Sequence, residues 1–392
     1  MQDPSRPPTT AVGQYESAFA NRIGAAYAFS FWKGRVALYA ILRGLGIREN
    51  DEVIVPGYTC VMAVNPIVYV GAQPVFVDIE PVTFNIDPSQ IAARITPRTR
   101  LIIVQHTYGY PADLDAILDI ARRYDLPIVE DCCLALGSTY RGRPVGTFGV
   151  ASYFSFQWNK PYTSGLGGMA VTSDAALADR IRTACEAEAR RPAFKRVAVL
   201  ASQLAAYRVF VYPRTAMITQ ALFRWLVAKG LLVGSSAPGE LAPAMPEDFF
   251  TRMSAMQAKS GLRQLRNWER TVAHRRRMAS LYDQLLLERG WKVRRLPEHM
   301  EPVLVRYPVR VADKEAALAG APRALVELGS WFESPLHPKE TPLEAYGYYR
   351  GMCPEAERAS RQVVNLPLHP RAGVRTARRS VDFVAGIGEA RE

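Results

Sequence analysis

Pro127-Ile-Val-Glu-Asp131, then Ala151-Ser-Tyr-Phe-Ser-Phe-Gln-Trp-Asn-Lys160, then Gly167-Gly168 decide how this chain of 392 residues folds. Ile128 and Val129 form a short apolar run that ends on two acids. Ala151 to Phe156 form a second run, which ends four residues before Lys160. Short apolar runs bounded by polar and turn residues predict strands buried on both faces of a parallel sheet. In such a sheet functional side chains gather beyond the carboxyl ends of the strands, which places Asp131 and Lys160 at one crevice.

An acid and an amine at one crevice suit pyridoxal 5'-phosphate (PLP). That cofactor needs a lysine for its Schiff base and a carboxylate that keeps the pyridine nitrogen protonated, so that the ring accepts electrons. Lys160 and Asp131 supply them. Taken alone, the pair also reads as a solvated loop lysine and a strand-end cap, so the surrounding sequence has to carry the choice.

Working outward, apolar runs recur near Ala25 to Phe29, at Val53 to Val55, Pro74 to Val77, Leu101 to Val104, Ile128 to Val129, Ala151 to Phe156 and Gly168 to Val171, which predicts seven strands. Helical spacing fills the gaps, as at Leu114, Ile117, Leu118 and Ile120. The alternation predicts an α/β fold with a mostly parallel sheet. After Lys33-Gly34-Arg35, Val36, Leu38, Ile41, Leu42 and Leu45 follow at helical spacing and Gly46 ends the helix. A glycine turn that opens a helix holds phosphate through free N–H groups and the positive end of the helix dipole, here beside Lys33 and Arg35.

These segments, with Val53-Ile-Val-Pro56, Gly71-Ala-Gln-Pro-Val-Phe-Val-Asp78, Asn85-Ile-Asp87, Ile95-Thr-Pro-Arg-Thr99, Tyr108-Gly-Tyr-Pro-Ala-Asp113 and Val145-Gly146, run in order over most of the chain. The chain resembles the DegT/DnrJ/EryC1/StrS family of PLP-dependent sugar aminotransferases. The resemblance implies the type I fold of PLP-dependent transferases, a seven-stranded sheet with a smaller C-terminal α+β domain. It implies amino transfer from an amino-acid donor, glutamate, to a keto group of an activated, nucleotide- or lipid-linked sugar, by a homodimer. It also implies a phosphate role for Ser155, five residues before Lys160, and places Cys60 where the family commonly has an aromatic ring stacked on the pyridine. Leu134 stands in place of a glutamine that bonds the phenolic oxygen. Phe250 stands in place of an asparagine that reaches the neighbouring subunit's phosphate, a loss that Arg35 is expected to offset. His337 and Arg252 are candidates for substrate contact, although His337 reads equally as a loop histidine; His369 reads as structural. Two alternatives stay open: a non-catalytic homologue with a scaffold or regulatory role, and a PLP-dependent dehydratase or other lyase, although related dehydratases carry histidine where Lys160 stands.

The chain divides by pattern into an arm (1–20), a large cofactor-binding domain (21–189), an insertion (190–245), bridging helices (246–285) and a small domain (286–392). Two thirds of the net charge of +12 falls between Arg190 and Gly239, where eight basic residues meet no acid. Its apolar residues are too often interrupted by charge for a membrane span, so amphipathic helices are expected there. They suit a lid, a dimer interface, or contact with a membrane or a lipid-linked substrate. No nucleic-acid partner is expected. Five cysteines, odd in number and without ligand spacing, indicate neither a disulfide framework nor a metal site. With no signal-like N-terminus, the expected location is the cytoplasm, peripheral at the membrane if residues 190–239 bind it.

Overall fold

The computed structural model describes residues 9–158, 160–210 and 238–390. The seven apolar runs form one sheet: β1 (Tyr27–Phe31), β2 (Glu52–Pro56), β3 (Gln73–Val77), β4 (Thr99–Gln105), β5 (Ile128–Asp131), β6 (Ala151–Ser155) and β7 (Gly168–Thr172). Its spatial order is β1-β7-β6-β5-β4-β2-β3, and β7 alone runs against its neighbours. Successive side chains point to opposite faces, and both faces are covered. Leu101 and Ile103 of β4 enter one core, whereas Ile102 and Val104 enter the other. This is why the runs are continuously apolar rather than alternating.

On the first face lie α2 (Gly34–Leu45), which ends at Gly46 with φ 76°, and α3 (Val61–Tyr69). On the second face α4 (Leu114–Arg123) is capped by Asp113, whose carboxylate accepts the Ala116 N–H. After β7, Asp174 caps α5 (Ala175–Glu188) in the same way, through the Leu177 N–H. The N-terminal segment departs from the expected arm. Ala11–Ile23 form a helix, α1, capped by Thr10, and it buries Tyr15, Phe19 and Ile23 in the second core. These residues stand four apart, on one helical face.

The stretch expected to be an insertion opens with α6 (Phe194–Phe210). Arg214, Arg224, Lys229 and the rest of 211–237 lie outside the described residues. Two helices, α7 (Ala255–Leu265) and α8 (Trp268–Leu287), lead into the small domain, where α8 packs on α9 (Val374–Ile387). There β8 (Tyr307–Arg310) pairs antiparallel with β9 (Val363–Leu366). The expected strand from Pro302 is shorter than its apolar run. Its first half bonds elsewhere: the Arg275 guanidinium donates to the Leu304 and Val305 carbonyls, and the Val303 N–H donates to Ser138 Oγ. No helix among the described residues is long and apolar enough to cross a membrane.

Candidate active site

β5 and β6 run side by side in parallel, with Asp131 opposite Tyr153. Asp131 ends β5 and is buried, and Lys160 lies beyond the end of β6 at a partly exposed bend. The Asp131 carboxylate accepts the Cys133 N–H at 2.9 Å and the Tyr153 hydroxyl at 2.5 Å. Burial pushes the thiols of Cys60 and Cys133 up, and on both of them the charges of Lys160 and Asp131 act with opposite sign. The acid and the amine therefore share one neighbourhood, as their strand-end positions predict. The preceding acid has another task. Glu130 is fully buried, and its carboxylate accepts the N–H groups of Gly146, Phe148 and Gly149, with the His106 ring on the same group. It fixes the turn that leads into β6.

The turn Lys33-Gly34-Arg35 sits against the ends of β6 and β7. A Cβ on Gly34 would lie 2.8 Å from Ser155 Cβ, and one on Gly168 would lie 2.4 Å from the Lys33 carbonyl oxygen. Glycine at both places lets the helix start dock on the strands. No side chain caps α2 among the described residues, and Ser155 Oγ is buried beside Gly34 without a hydrogen-bond partner there. A phosphate at this turn would satisfy the helix N–H groups and the orphaned hydroxyl together. The residues fit the cofactor.

Lys33 and Arg35 are both buried, and both meet Glu240. Lys33 Nζ lies 2.8 Å from Oε1, and Arg35 Nη1 lies 2.8 Å from Oε2. Burial, and next the charge of Arg35, bring the Lys33 ammonium down to about 8. Sequence reading passes over Glu240, the acid that immediately follows the acid-free stretch. Its position at the end of that stretch is the one signal the sequence holds. Phe250 stacks on Phe31 and meets the edge of Tyr39 in the core. Leu134 is likewise buried in that core.

At Cys60 a two-residue strand, Thr59–Cys60, pairs with Leu336–His337 of the small domain. This brings His337 to the level of Cys60, and burial holds its ring well below the usual imidazole range. The same segment supplies Trp331, whose ring centroid lies 5.0 Å from Lys160 Nζ. Tyr58 and Tyr108 hold the segment in place: Tyr108 donates to the Trp331 carbonyl, and the Phe332 N–H donates to Tyr58. An aromatic ring thus reaches the amine from the small domain, although Cys60 offers none. Arg252 lies elsewhere, donating to the Cys185 carbonyl at 2.6 Å and facing Glu16. His369 bonds Glu327 and the Arg371 N–H, a structural loop role.

The insertion opens against the site. Leu200 and Leu204 of α6 pack with Trp32, Trp158 and Leu166, and the Tyr207 hydroxyl reaches the Trp158 carbonyl. Arg196 pairs with Asp248 and lies over Trp32.

A profile of the DegT/DnrJ/EryC1/StrS aminotransferase family matches residues 9–207 and 245–384. The residues between the two matched parts, 208–244, lie within the expected insertion, whose first stretch, with most of α6, is matched by the family. GDP-perosamine synthase of Caulobacter vibrioides is 44% identical over 171 residues, 44% of this chain and 46% of the relative, so the match spans about half the relative's length. UDP-2-acetamido-2-deoxy-3-oxo-D-glucuronate aminotransferase of Pseudomonas aeruginosa is 30% identical over 361 residues, 92% of this chain and 86% of the relative. Among solved structures, the aminotransferase TlmJ from Streptoalloteichus hindustanus superposes with a TM-score of 0.74 at 28% identity, over 97% of this chain and 91% of that one.

Proposed function

Because the chain belongs to the DegT/DnrJ/EryC1/StrS aminotransferase family, we propose that it moves an amino group from an amino-acid donor, glutamate, to the keto group of an activated, nucleotide- or lipid-linked sugar or a related polyol. Pyridoxal phosphate is its cofactor. When bound, it supplies the electron sink that makes a substrate C–H acidic. The observation that carries the reading is the placement of Asp131 at the carboxyl end of β5 and of Lys160 beyond the end of the adjacent parallel β6, with the orphaned Ser155 hydroxyl at the same end.

In this reading Lys160 would hold the cofactor, and its Nζ would move the proton between the substrate carbon and the cofactor carbon. Asp131, fixed by Tyr153 and the Cys133 N–H, presents a negative charge to the ring nitrogen. Ser155, Gly34, Lys33 and Arg35 hold the phosphate. Trp331 and α6 exclude water from the amine side. Cys60 and His337, paired at one level, would line the ring and acceptor side, and Arg252 would reach substrate only across a subunit boundary. The names of the relatives support a sugar or nucleotide-sugar acceptor, and the net charge of +12 suits an anionic one.

The test is the half-reaction: conversion of the bound cofactor to its amine form by glutamate, glutamine or aspartate, then its return with nucleotide-linked keto sugars. Failure of every donor would leave the non-catalytic alternative.

Lys33 gives this reading a pH dependence. The group must be protonated to attract phosphate and loses its proton near pH 8 in the folded chain. Arg35, Glu240 and Arg196 are the charged groups acting on it, and they keep their charge across that range. Cofactor affinity is therefore expected to fall as pH rises through about 8. Equilibrium binding from pH 7 to 9 checks this, with Lys33→Arg expected to flatten the profile because its cation persists.

Assembly as a homodimer is part of the proposal, as is a cytoplasmic location, which the five free thiols suit. Light scattering reads the assembly. The packing of α6 on Trp158 favours the insertion as a cover for the site. Its unbroken positive charge supports a second role, contact with an anionic lipid surface or lipid-linked substrate. Salt-sensitive co-sedimentation with anionic but not neutral vesicles tests that role.

A further inference from the structure

We propose that Glu240 sets the cofactor affinity of this chain: its carboxylate occupies the place of a bound phosphate on Lys33 and Arg35, and phosphate binds by displacing it. The inference rests on the reading of Lys33-Gly34-Arg35 as the phosphate turn.

Several sources of attraction for an anion converge at the turn. They are the uncapped start of α2, the buried cations of Lys33 and Arg35, and the unpartnered hydroxyl of Ser155. Glu240 answers the cations. Its Oε1 and Oε2 lie 2.8 and 3.1 Å from Lys33 Nζ, and Oε2 lies 2.8 Å from Arg35 Nη1. Ser155 is left unsatisfied, so the carboxylate fills the cradle incompletely. A phosphate carries more charge and more acceptor oxygens, and can meet the cations, the helix start and the hydroxyl at once.

The main chain at Glu240 does not depend on the ion pair. The Glu240 carbonyl accepts Asn65 Nδ2 at 2.7 Å, and the Leu241 carbonyl accepts the Tyr346 hydroxyl at 3.1 Å. The backbone is pinned by neutral groups, so the side chain can rotate away while its segment stays in place. With Glu240 seated, an incoming phosphate meets a net single positive charge; with it displaced, it meets two. A buried ion pair that served only to hold the segment down would duplicate the anchors at Asn65 and Tyr346.

The experiment measures equilibrium binding of PLP, of pyridoxal and of inorganic phosphate to the cofactor-free protein, by absorbance for the first two and thermal shift for the third. Glu240→Gln is expected to tighten PLP and phosphate about tenfold or more and to leave pyridoxal, which lacks the phosphate, unchanged. The cofactor-free variant is also expected to melt lower than wild type and to recover on phosphate addition, because its cations are left buried without a counter-charge. Glu240→Asp keeps the charge and shortens the reach, and is expected to move PLP affinity in the same direction, which covers a Gln variant that fails to fold. Unchanged or weaker PLP binding in a folded variant overturns the proposal, as does equal tightening of pyridoxal. Lys33→Ala separates the two layers. If it weakens PLP but not pyridoxal while Glu240→Gln tightens neither, the displacement idea fails and the phosphate turn stands. If it weakens neither, the phosphate turn itself is wrong, and the inference falls with it.

Discussion

Lys160→Ala is expected to yield a folded protein that no longer retains cofactor on borohydride treatment and no longer exchanges amino groups. Lys160 sits on a partly exposed bend, where its N–H bonds to Gln157 and its ammonium lies over the Trp331 ring, so its removal opens no buried cavity. The melting temperature is expected to stay close to wild type. Activity is not. Loss of a positioned proton-transfer group alone costs about 10²–10⁴-fold, and here the same nitrogen also forms the covalent link, so the half-reaction should fall beyond routine detection. The signature that separates this from general damage is PLP that still binds, through Ser155 and the helix start, but dialyses away. A variant to which borohydride still fixes the cofactor covalently would remove Lys160 from its role, since another amine would have to form the imine.

The central strands were legible because they are buried on both faces and read as apolar runs, and the strand-end positions of Asp131 and Lys160 followed from where those runs stop. The phosphate turn was legible for a related reason: a glycine that must pack against Ser155 and another that must pack against Lys33 leave a visible mark. What the sequence hides is pairing at a distance. Glu240 meets Arg35 across 205 residues, and Trp331 and His337 reach the site through the short pairing of Leu336–His337 with Thr59–Cys60 and the bonds to Tyr58 and Tyr108. Neither contact leaves a local pattern. The helix α1 is a different case, since Thr10 as cap and Tyr15, Phe19 and Ile23 at helical spacing were present, and the prolines before them drew the reading toward an arm. The segment Val303 to Val305 shows the converse error, in which an apolar run is buried as irregular chain because Arg275 and Ser138 take its backbone groups. The expected compensation of Phe250 by Arg35 also changes meaning. Arg35 is engaged by Glu240, so its contribution to phosphate affinity depends on a third residue the sequence does not connect to it.

Asp131→Asn is the sharper of the substitutions at the acid, and it is expected to slow the half-reaction by about 10²–10³-fold or more while leaving the fold and the covalent attachment through Lys160 intact. The carboxylate has two tasks that alanine would confuse. It accepts the Tyr153 hydroxyl and the Cys133 N–H, both in buried surroundings, and in the proposed mechanism it would carry the charge opposite the ring nitrogen. Alanine removes both, leaving a buried hydroxyl without its acceptor, at about 1–3 kcal/mol of stability. Asparagine keeps an oxygen for one of these donors and discards the charge. If the charge is what matters, Asn and Ala should be similarly slow, while only Ala melts substantially lower. If Asp131 serves mainly to hold Tyr153 and the turn at Cys133, Asn should retain most of the rate and Ala should lose it together with stability. Stopped-flow absorbance on the half-reaction, beside thermal melts of the same preparations, reads both axes. A near-normal rate in Asp131→Asn would leave the ring nitrogen without its proposed partner and require another acid at the crevice, a position that Glu130, fully engaged by His106 and the turn from Gly146 to Gly149, does not have the freedom to take.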